Sequence, residues 1–227
     1  MIQHIIDFPS SARVDRIISK KKIYDKSDVT NRVKKIFIDK IEQVRWLYKL
    51  SPETINIPAT ETVQELQVFY LRLKKSDKTE DILIQIDKSI PSPILFILQF
   101  EKRIRYVASY KRPNQADHSK WVTSEYFSSG WIPESSDHKP LPVTINMEAI
   151  YHHFLRWLIP IKMRKNEDIS SLVQRAELLR IKEREHERLN SKLHKEKQFN
   201  RKVEINTELK TISAEINRLS LLANSNT

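Results

Sequence analysis

The sequence predicts an α+β fold, a small, mostly antiparallel sheet with flanking helices, followed by a long helical, coiled-coil-like C-terminal extension. Three observations lead there. Short runs of β-branched and aromatic residues lie between residues 63 and 127. Amphipathic stripes at helical spacing flank them. After Pro160, proline, glycine and tryptophan vanish while Arg, Lys, Glu and Leu take over. The expected division is a globular domain over residues 1–160 and a helical extension over 161–227. With 227 residues, 39% of them hydrophobic, the chain can bury one core of ordinary size.

Over residues 27–50, Val29, Val33, Ile36, Phe37, Ile41, Val44 and Leu47 recur three and four apart, with the stem of Lys40 on the same stripe. That spacing predicts an amphipathic helix capped by Asp28 and stopped at Ser51-Pro52. Residues 52–58 carry too much proline for a helix. The run 63–73, dense in Leu, Val, Phe and Tyr, predicts a strand. Asp77 with Glu80 three residues on forms an aspartate capping box, opening a short helix through Ile82, Leu83 and Ile86 to about Lys88, ended by Ile90-Pro91-Ser92-Pro93. Residues 94–100 are apolar except Gln99, the profile of a core strand buried on both faces. A hairpin at 101–103 leads into a strand where Ile104, Tyr106, Ala108 and Tyr110 alternate with Arg103, Arg105, Val107 and Ser109. Residues 121–127 add another strand and 128–142 a Ser/Pro-rich loop. Asn146 then caps a helix carrying Met147, Ile150, Tyr151, Phe154, Leu155 and Leu158, stopped by Pro160.

In the extension Ile205, Leu209, Ile212, Ile216 and Leu219 keep the four-three spacing of a coiled-coil seam and are the expected oligomerisation residues. The same register upstream is held by Leu172, Ala176, Leu179, Glu183, His186, Asn190 and Leu193, with three polar members. Between the two halves, residues 195–204 offer only Phe199 and Val203 as sizeable apolar groups. The sequence therefore leaves two forms open, one straight arm of about 85 Å over 166–222 or a helical hairpin.

Forty Lys and Arg against twenty-nine Asp and Glu give a net charge of +11, a field that draws polyanions and makes nucleic acid, DNA first, the expected partner. A single glycine, Gly130, excludes the glycine-rich phosphate loops of ATPases, kinases and Rossmann enzymes. The absence of cysteine excludes disulfides, thiolate metal sites and cysteine nucleophiles and fits a reducing, cytoplasmic address. No uncharged stretch is long enough to span a membrane, and Asp7 breaks the apolar patch at residues 2–8, so neither membrane insertion nor a signal peptide is expected.

The densest basic site is Lys102, Arg103 and Arg105 with Lys111 and Arg112. On a strand, Arg103 and Arg105 share one face and suit phosphate contact, while Tyr106 and Tyr110 fall on the core-facing parity. A second basic cluster, Lys197, Arg201 and Lys202 with Lys195, flanks Phe199 in the extension. Metal-assisted hydrolysis needs acids converging near a lysine, because carboxylates hold the ion while an ammonium polarises phosphate or water. Glu65, Gln67, Asp87 and Lys88 are the best such set, and define the alternative, an Mg-dependent nuclease. They lack the order of an acid followed by acid-x-Lys on the next strand. Otherwise no cofactor and no metal site are expected: His152 and His153 are adjacent, His186 and His194 lie two turns apart, and no serine sits in a glycine-flanked elbow.

Several strings, taken together, resemble a known family. They are Ser51-Pro52-Glu53-Thr54-Ile55-Asn56-Ile57-Pro58-Ala59-Thr60, Gln64-Glu65-Leu66-Gln67-Val68-Phe69, Ile86-Asp87-Lys88-Ser89-Ile90-Pro91, Ser109-Tyr110-Lys111 and Lys197-Gln198-Phe199-Asn200-Arg201-Lys202-Val203-Glu204-Ile205-Asn206. In this order they resemble the prokaryotic domain-of-unknown-function family 4391 across nearly the whole chain. The resemblance implies a cytoplasmic protein encoded beside helicase and DNA-methyltransferase genes of restriction or phage-defence loci, and it carries no catalytic residues. With the charge, it gives the functional expectation: a non-enzymatic accessory subunit of a DNA-processing or defence complex. Its arm would recruit a helicase, a methyltransferase or a second copy of itself.

Overall fold

The computed structural model describes all residues except 1, 2, 22, 24–29, 77, 78, 115, 116, 118–120 and 222–227. The chain forms two compact units, Met1–Leu158 and Ile159–Thr227.

In the first unit a sheet runs in the order β2 (Arg13–Ile17), β3 (Ile41–Leu50), β4 (Leu66–Leu73), β5 (Ile94–Phe100), β6 (Arg103–Pro113) and β7 (Trp121–Ser128), with β8 (Ile132–Pro133) beside the start of β6. A separate parallel pair joins β1 (Ile5–Asp7) to β9 (His138–Pro140), so β8 and β9 both fall in the segment expected to be loop. Neighbours are antiparallel except β4 and β5. A parallel pair needs a crossover connection, and α3 (Glu80–Lys88) lies in it. Further helices of this unit are α1 (Asn31–Lys40), the single turn α2 (Pro52–Ile55) and α4 (Met147–Leu158), with a 3-10 turn at Ser10–Ala12. The mixed fold with a mostly antiparallel sheet is as the sequence predicts.

The core strand and the closing helix follow the sequence closely. Residues 94–98 of β5 are all buried, and all six expected residues of α4 are buried, with the Asn146 side chain accepting from Ala149 N at 2.8 Å. The helix expected over 27–50 is corrected: α1 ends at Lys40 and residues 41–50 form β3. The helical spacing of Ile41 and Val44 misled because β3 carries bulges between Ile41 and Gln43 and between Trp46 and Tyr48. Each bulge resets the alternation, so residues three apart both reach the core. Thr30, not Asp28, caps α1, its hydroxyl accepting from Val33 N at 3.4 Å; Asp28 lies outside the described residues. Pro52 does not preclude helix, because at the first helical position its missing N–H costs nothing. Ser51 N donates to Thr54 Oγ1 at 2.9 Å, and Asn56 ends the turn in the left-handed region at φ 53°. Thr79 precedes α3, so Glu80 opens the helix instead of closing a capping box; Asp77 lies outside the described residues.

His4 and His153 flank Trp157, with ring centroids 5.5 and 4.0 Å from the indole. The Nε2 atom of each is buried without a hydrogen-bond partner. Burial, with Lys139 beside His4 and Arg156 beside His153, holds both imidazoles below their ordinary value of 6.5. The unfolded chain therefore takes up protons first as the pH falls, and native stability drops from about pH 6.5 downward while staying flat above about pH 7. Urea midpoints measured across this range are expected to show that decline, and a His4→Gln/His153→Gln variant is expected to flatten it.

The second unit is a helical hairpin. Helix α5 (Ile169–Lys195), capped by Asp168 accepting from Ser171 N at 2.7 Å, is followed after residues 196–198 by α6 (Phe199–Ser220). Of the two forms left open, the chain takes the hairpin, and the single long coiled-coil arm does not form. The turn falls in the apolar-poor stretch, where the Glu196 carboxylate accepts from Lys197 N and Gln198 N at 2.8 and 2.9 Å. Leu189 packs in one cluster with Ile205, Leu209 and Ile212, with Leu193 and Ile216 against it. Among the described residues no helix is long and apolar enough to cross a membrane.

Candidate functional site

The four residues of the nuclease set fall into two separate networks and an exposed remainder. Glu65 and Gln67 sit at the start of β4. Trp46 Nε1 donates to Gln67 Oε1 at 2.7 Å, and Gln67 Nε2 passes the chain to Glu65 Oε1 at 2.7 Å. Ser92 Oγ donates to the same carboxylate oxygen at 3.1 Å, while Lys49 holds the other at 2.7 Å. Glu65 borders a cleft of about 300 Å3 with Ser92, Pro113 and Trp121, but its oxygens are already engaged.

Asp87, 3% exposed, is bound elsewhere. It accepts from Ser109 Oγ at 2.9 Å, Tyr126 OH at 2.7 Å and Lys111 Nζ at 2.8 Å. Lys111 is 4% exposed, and its ammonium also donates to the backbone carbonyls of Asp87 and Ile90, so its three protons meet three acceptors. Burial and the Asp87 charge push the Tyr126 hydroxyl far up, which keeps it protonated and donating. The register shift between β6 and β7, where two steps from Ser109 to Lys111 oppose three from Tyr126 to Thr123, leaves a backbone donor and acceptor of β6 for a side chain to meet. Tyr151 closes that gap: its hydroxyl accepts from Lys111 N at 2.7 Å and donates to Ser109 O. Lys88 is exposed in the last turn of α3. Among the described residues no three His, Asp or Glu side chains gather as a metal-holding group.

Lys111 is therefore corrected from a backbone contact to a buried structural cation. The reason lies in how α3 covers β6. Glu80 and Leu83, at the start of the helix, lie beside Arg105 and Val107, while Asp87 at its end meets Ser109 and Lys111. The helix thus covers β6 from Val107 onward, leaves Arg103 open to solvent and leaves Arg105 at the edge of a cavity beside its first turn. Lys102 and Arg103 are exposed there, and Arg105 and Arg112 are half-buried.

The row at the start of β6 has a partner that the sequence did not single out. Trp131 lies under both arginines, the Arg105 guanidinium carbon 4.4 Å and that of Arg103 5.9 Å from the ring centroid, with Phe100 behind it at 6.4 Å. Arg103 has Glu101 at 3.4 Å. Arg105 has no carboxylate within ion-pair distance among the described residues; its Nε is buried and unpartnered, and burial lowers its pKa from the ordinary value. A guanidinium that stacks on indole and lacks a counter-charge is poised for an external anion. Trp131 sits next to Gly130 in the segment expected to be loop, and only its residue type signalled it.

In the helical unit Lys197, Arg201 and Lys202 are exposed at the turn of the hairpin, Arg201 3.9 Å from Glu196. Phe199 and Val203, one turn apart beside them, are 78% and 51% exposed. Ile205, Leu209 and Ile212 pack against Leu189 within the chain, Ile216 lies against that cluster, and Leu219 is 7% exposed. A second chain reaches this seam only if α6 leaves α5.

A family model described as a domain of unknown function (DUF4391) matches residues 6–216. No curated protein and no solved structure matches the chain.

Proposed function

We propose, for a chain that belongs to the DUF4391 family, that it is a non-enzymatic accessory subunit of a DNA-processing complex of the restriction or phage-defence kind, holding a nucleic-acid backbone without reading its sequence. The observation that carries this is the row at the start of β6, with Arg103 and Arg105 stacked on Trp131 and Arg105 without a carboxylate among the described residues. Arginine that is weakly hydrated, pre-oriented by an aromatic face and free of an internal partner gains most from a phosphate oxygen. Lys102 extends the row, and a net charge of +11 supplies the long-range attraction. In the helical unit Lys197, Arg201 and Lys202 offer a second backbone contact. Beside them Phe199 and Val203 offer an apolar contact for a partner of the helicase or methyltransferase kind, as the family resemblance implies. A homodimer through α6 is the rival use of the seam and requires the hairpin to open.

The nuclease alternative loses support because Asp87 is committed to Lys111 and Glu65 to Lys49. The purified chain is expected to shift a short labelled duplex in the presence of magnesium and leave it uncut. The affinity should fall by orders of magnitude between about 50 and 200 mM salt. A cut duplex returns the assignment to Glu65, Gln67, Asp87 and Lys88.

A further inference from the structure

Where α3 begins, the sheet and the helix border a half-open cavity of about 150 Å3 next to the basic row. Its floor is apolar, from Leu83, Leu98 and Val107. Its polar wall is Arg105 with the hydroxyl-bearing Ser76, Thr79 and Ser128. Thr79 is 6% exposed, yet its side chain makes no capping bond, and none of the three hydroxyls has a hydrogen-bond partner among the described residues. Thr79 also marks the N-terminus of a nine-residue helix, where backbone N–H groups and the helix dipole favour an anion. Tyr126 lines the cavity too, but its hydroxyl is given to Asp87. Of these groups the Arg105 Nε is buried without a partner among the described residues, which is costly, and the hydroxyls of Ser76, Thr79 and Ser128 beside it are open to an incoming acceptor.

The geometry points to a phosphate site: the cavity takes a phosphate monoester, with the Arg105 guanidinium on its charge and the hydroxyls of Ser76, Thr79 and Ser128 on its oxygens. Size and donor arrangement select this ligand. The volume is well below the roughly 300 Å3 at which whole organic ligands are enclosed, so a single small group enters. The donors come from three separate segments, residues 76–79, β6 and β7, an arrangement that suits the three terminal oxygens of a tetrahedral phosphate monoester better than the planar pair of a carboxylate. Glu80 stands exposed at the rim and opposes the ligand through its charge. The inference rests on the nucleic-acid reading only for the source of the phosphate, which is either the 5′ end of a strand or free phosphate.

The test titrates full-length wild type, Arg105→Gln, Thr79→Val and Glu80→Gln with inorganic phosphate by calorimetry, then with a short duplex bearing 5′-phosphate or 5′-hydroxyl ends. Wild type is expected to take one phosphate. Arg105→Gln should weaken it about tenfold or more and Thr79→Val about threefold to tenfold. Glu80→Gln should tighten it about threefold. Thr79→Val keeps the side-chain volume, so it reads the site even where Arg105→Gln fails to fold. A preference for the phosphorylated duplex that disappears in Arg105→Gln assigns the strand end; inorganic phosphate binding without that preference assigns free phosphate. Absence of phosphate binding in wild type, or equal affinity in all four proteins, overturns the site. Phosphate binding without any duplex binding overturns the proposed function and leaves the site standing. Duplex binding that ignores both phosphate and end chemistry does the reverse.

Discussion

Lys111→Met is expected to lower the unfolding free energy by about 3–5 kcal/mol, read as a fall in the urea midpoint at constant slope. Among the described residues the ammonium is the only cation on Asp87, and both side chains are 3–4% exposed. Removing it leaves a buried carboxylate that, among the described residues, is held by Ser109 and Tyr126 alone, and takes the Lys111 donor from the Asp87 and Ile90 carbonyls. An uncompensated buried charge is the costly state, more than the absence of the pair. The double variant Asp87→Leu/Lys111→Met is therefore expected to be more stable than Lys111→Met alone. A Lys111→Met protein as stable as wild type, with weakened DNA binding, would restore Lys111 to the backbone contacts.

Arg175→Met is expected to cost a similar amount, about 3–5 kcal/mol, and to loosen the helical unit specifically. This guanidinium, 7% exposed, holds both oxygens of Glu167 at 2.7 Å, the Leu219 carbonyl at 2.6 Å and the Lys162 carbonyl at 2.8 Å. One side chain thereby ties the segment before α5, α5 itself and the end of α6. Arg164 adds a second tie, donating to the Arg218 carbonyl at 2.5 Å. Arg175→Lys is expected to recover little, since an ammonium lacks the planar fork that serves three groups at once. The Arg175 guanidinium holds the Glu167 carboxyl below its ordinary value of 4.5. The stability it supplies is therefore present above about pH 4.5 and lost as the pH falls through the lower, folded value. The gap between wild type and Arg175→Met should narrow in acid. Hydrogen exchange localised to α6 is the measurement that places the loss in the hairpin; uniform loss across both units would contradict that placement.

What the sequence made legible was whatever a single element decides. The run 94–100, the alternation that buries Tyr106, and the α4 stripe from Met147 to Leu158 each follow from local periodicity, and the Asn146 cap from one side chain. What needed the fold was whatever two distant elements decide. Arg105 and Lys111 share strand parity, and nothing local separates them; α3 does, by covering Lys111 with Asp87 and leaving a cavity in front of Arg105. The β3 bulges disguised a strand as a helix at Ile41 and Val44. Trp131 carries no periodic signal in its segment, so its place under two arginines appears only once β8 returns to β6. The hairpin was half legible: residues 195–204 marked where the extension weakens, and Glu196 supplied the turn.

The proposed function requires that the row at the start of β6 bind a nucleic-acid backbone. Its most direct test is the dependence of log affinity on log salt concentration for one labelled duplex, measured by fluorescence anisotropy for wild type and for Lys102→Ala/Arg103→Ala/Arg105→Ala. Weaker binding is expected, with a slope reduced by about 2–3, roughly one per lost phosphate contact. An affinity and slope identical to those of wild type would contradict it.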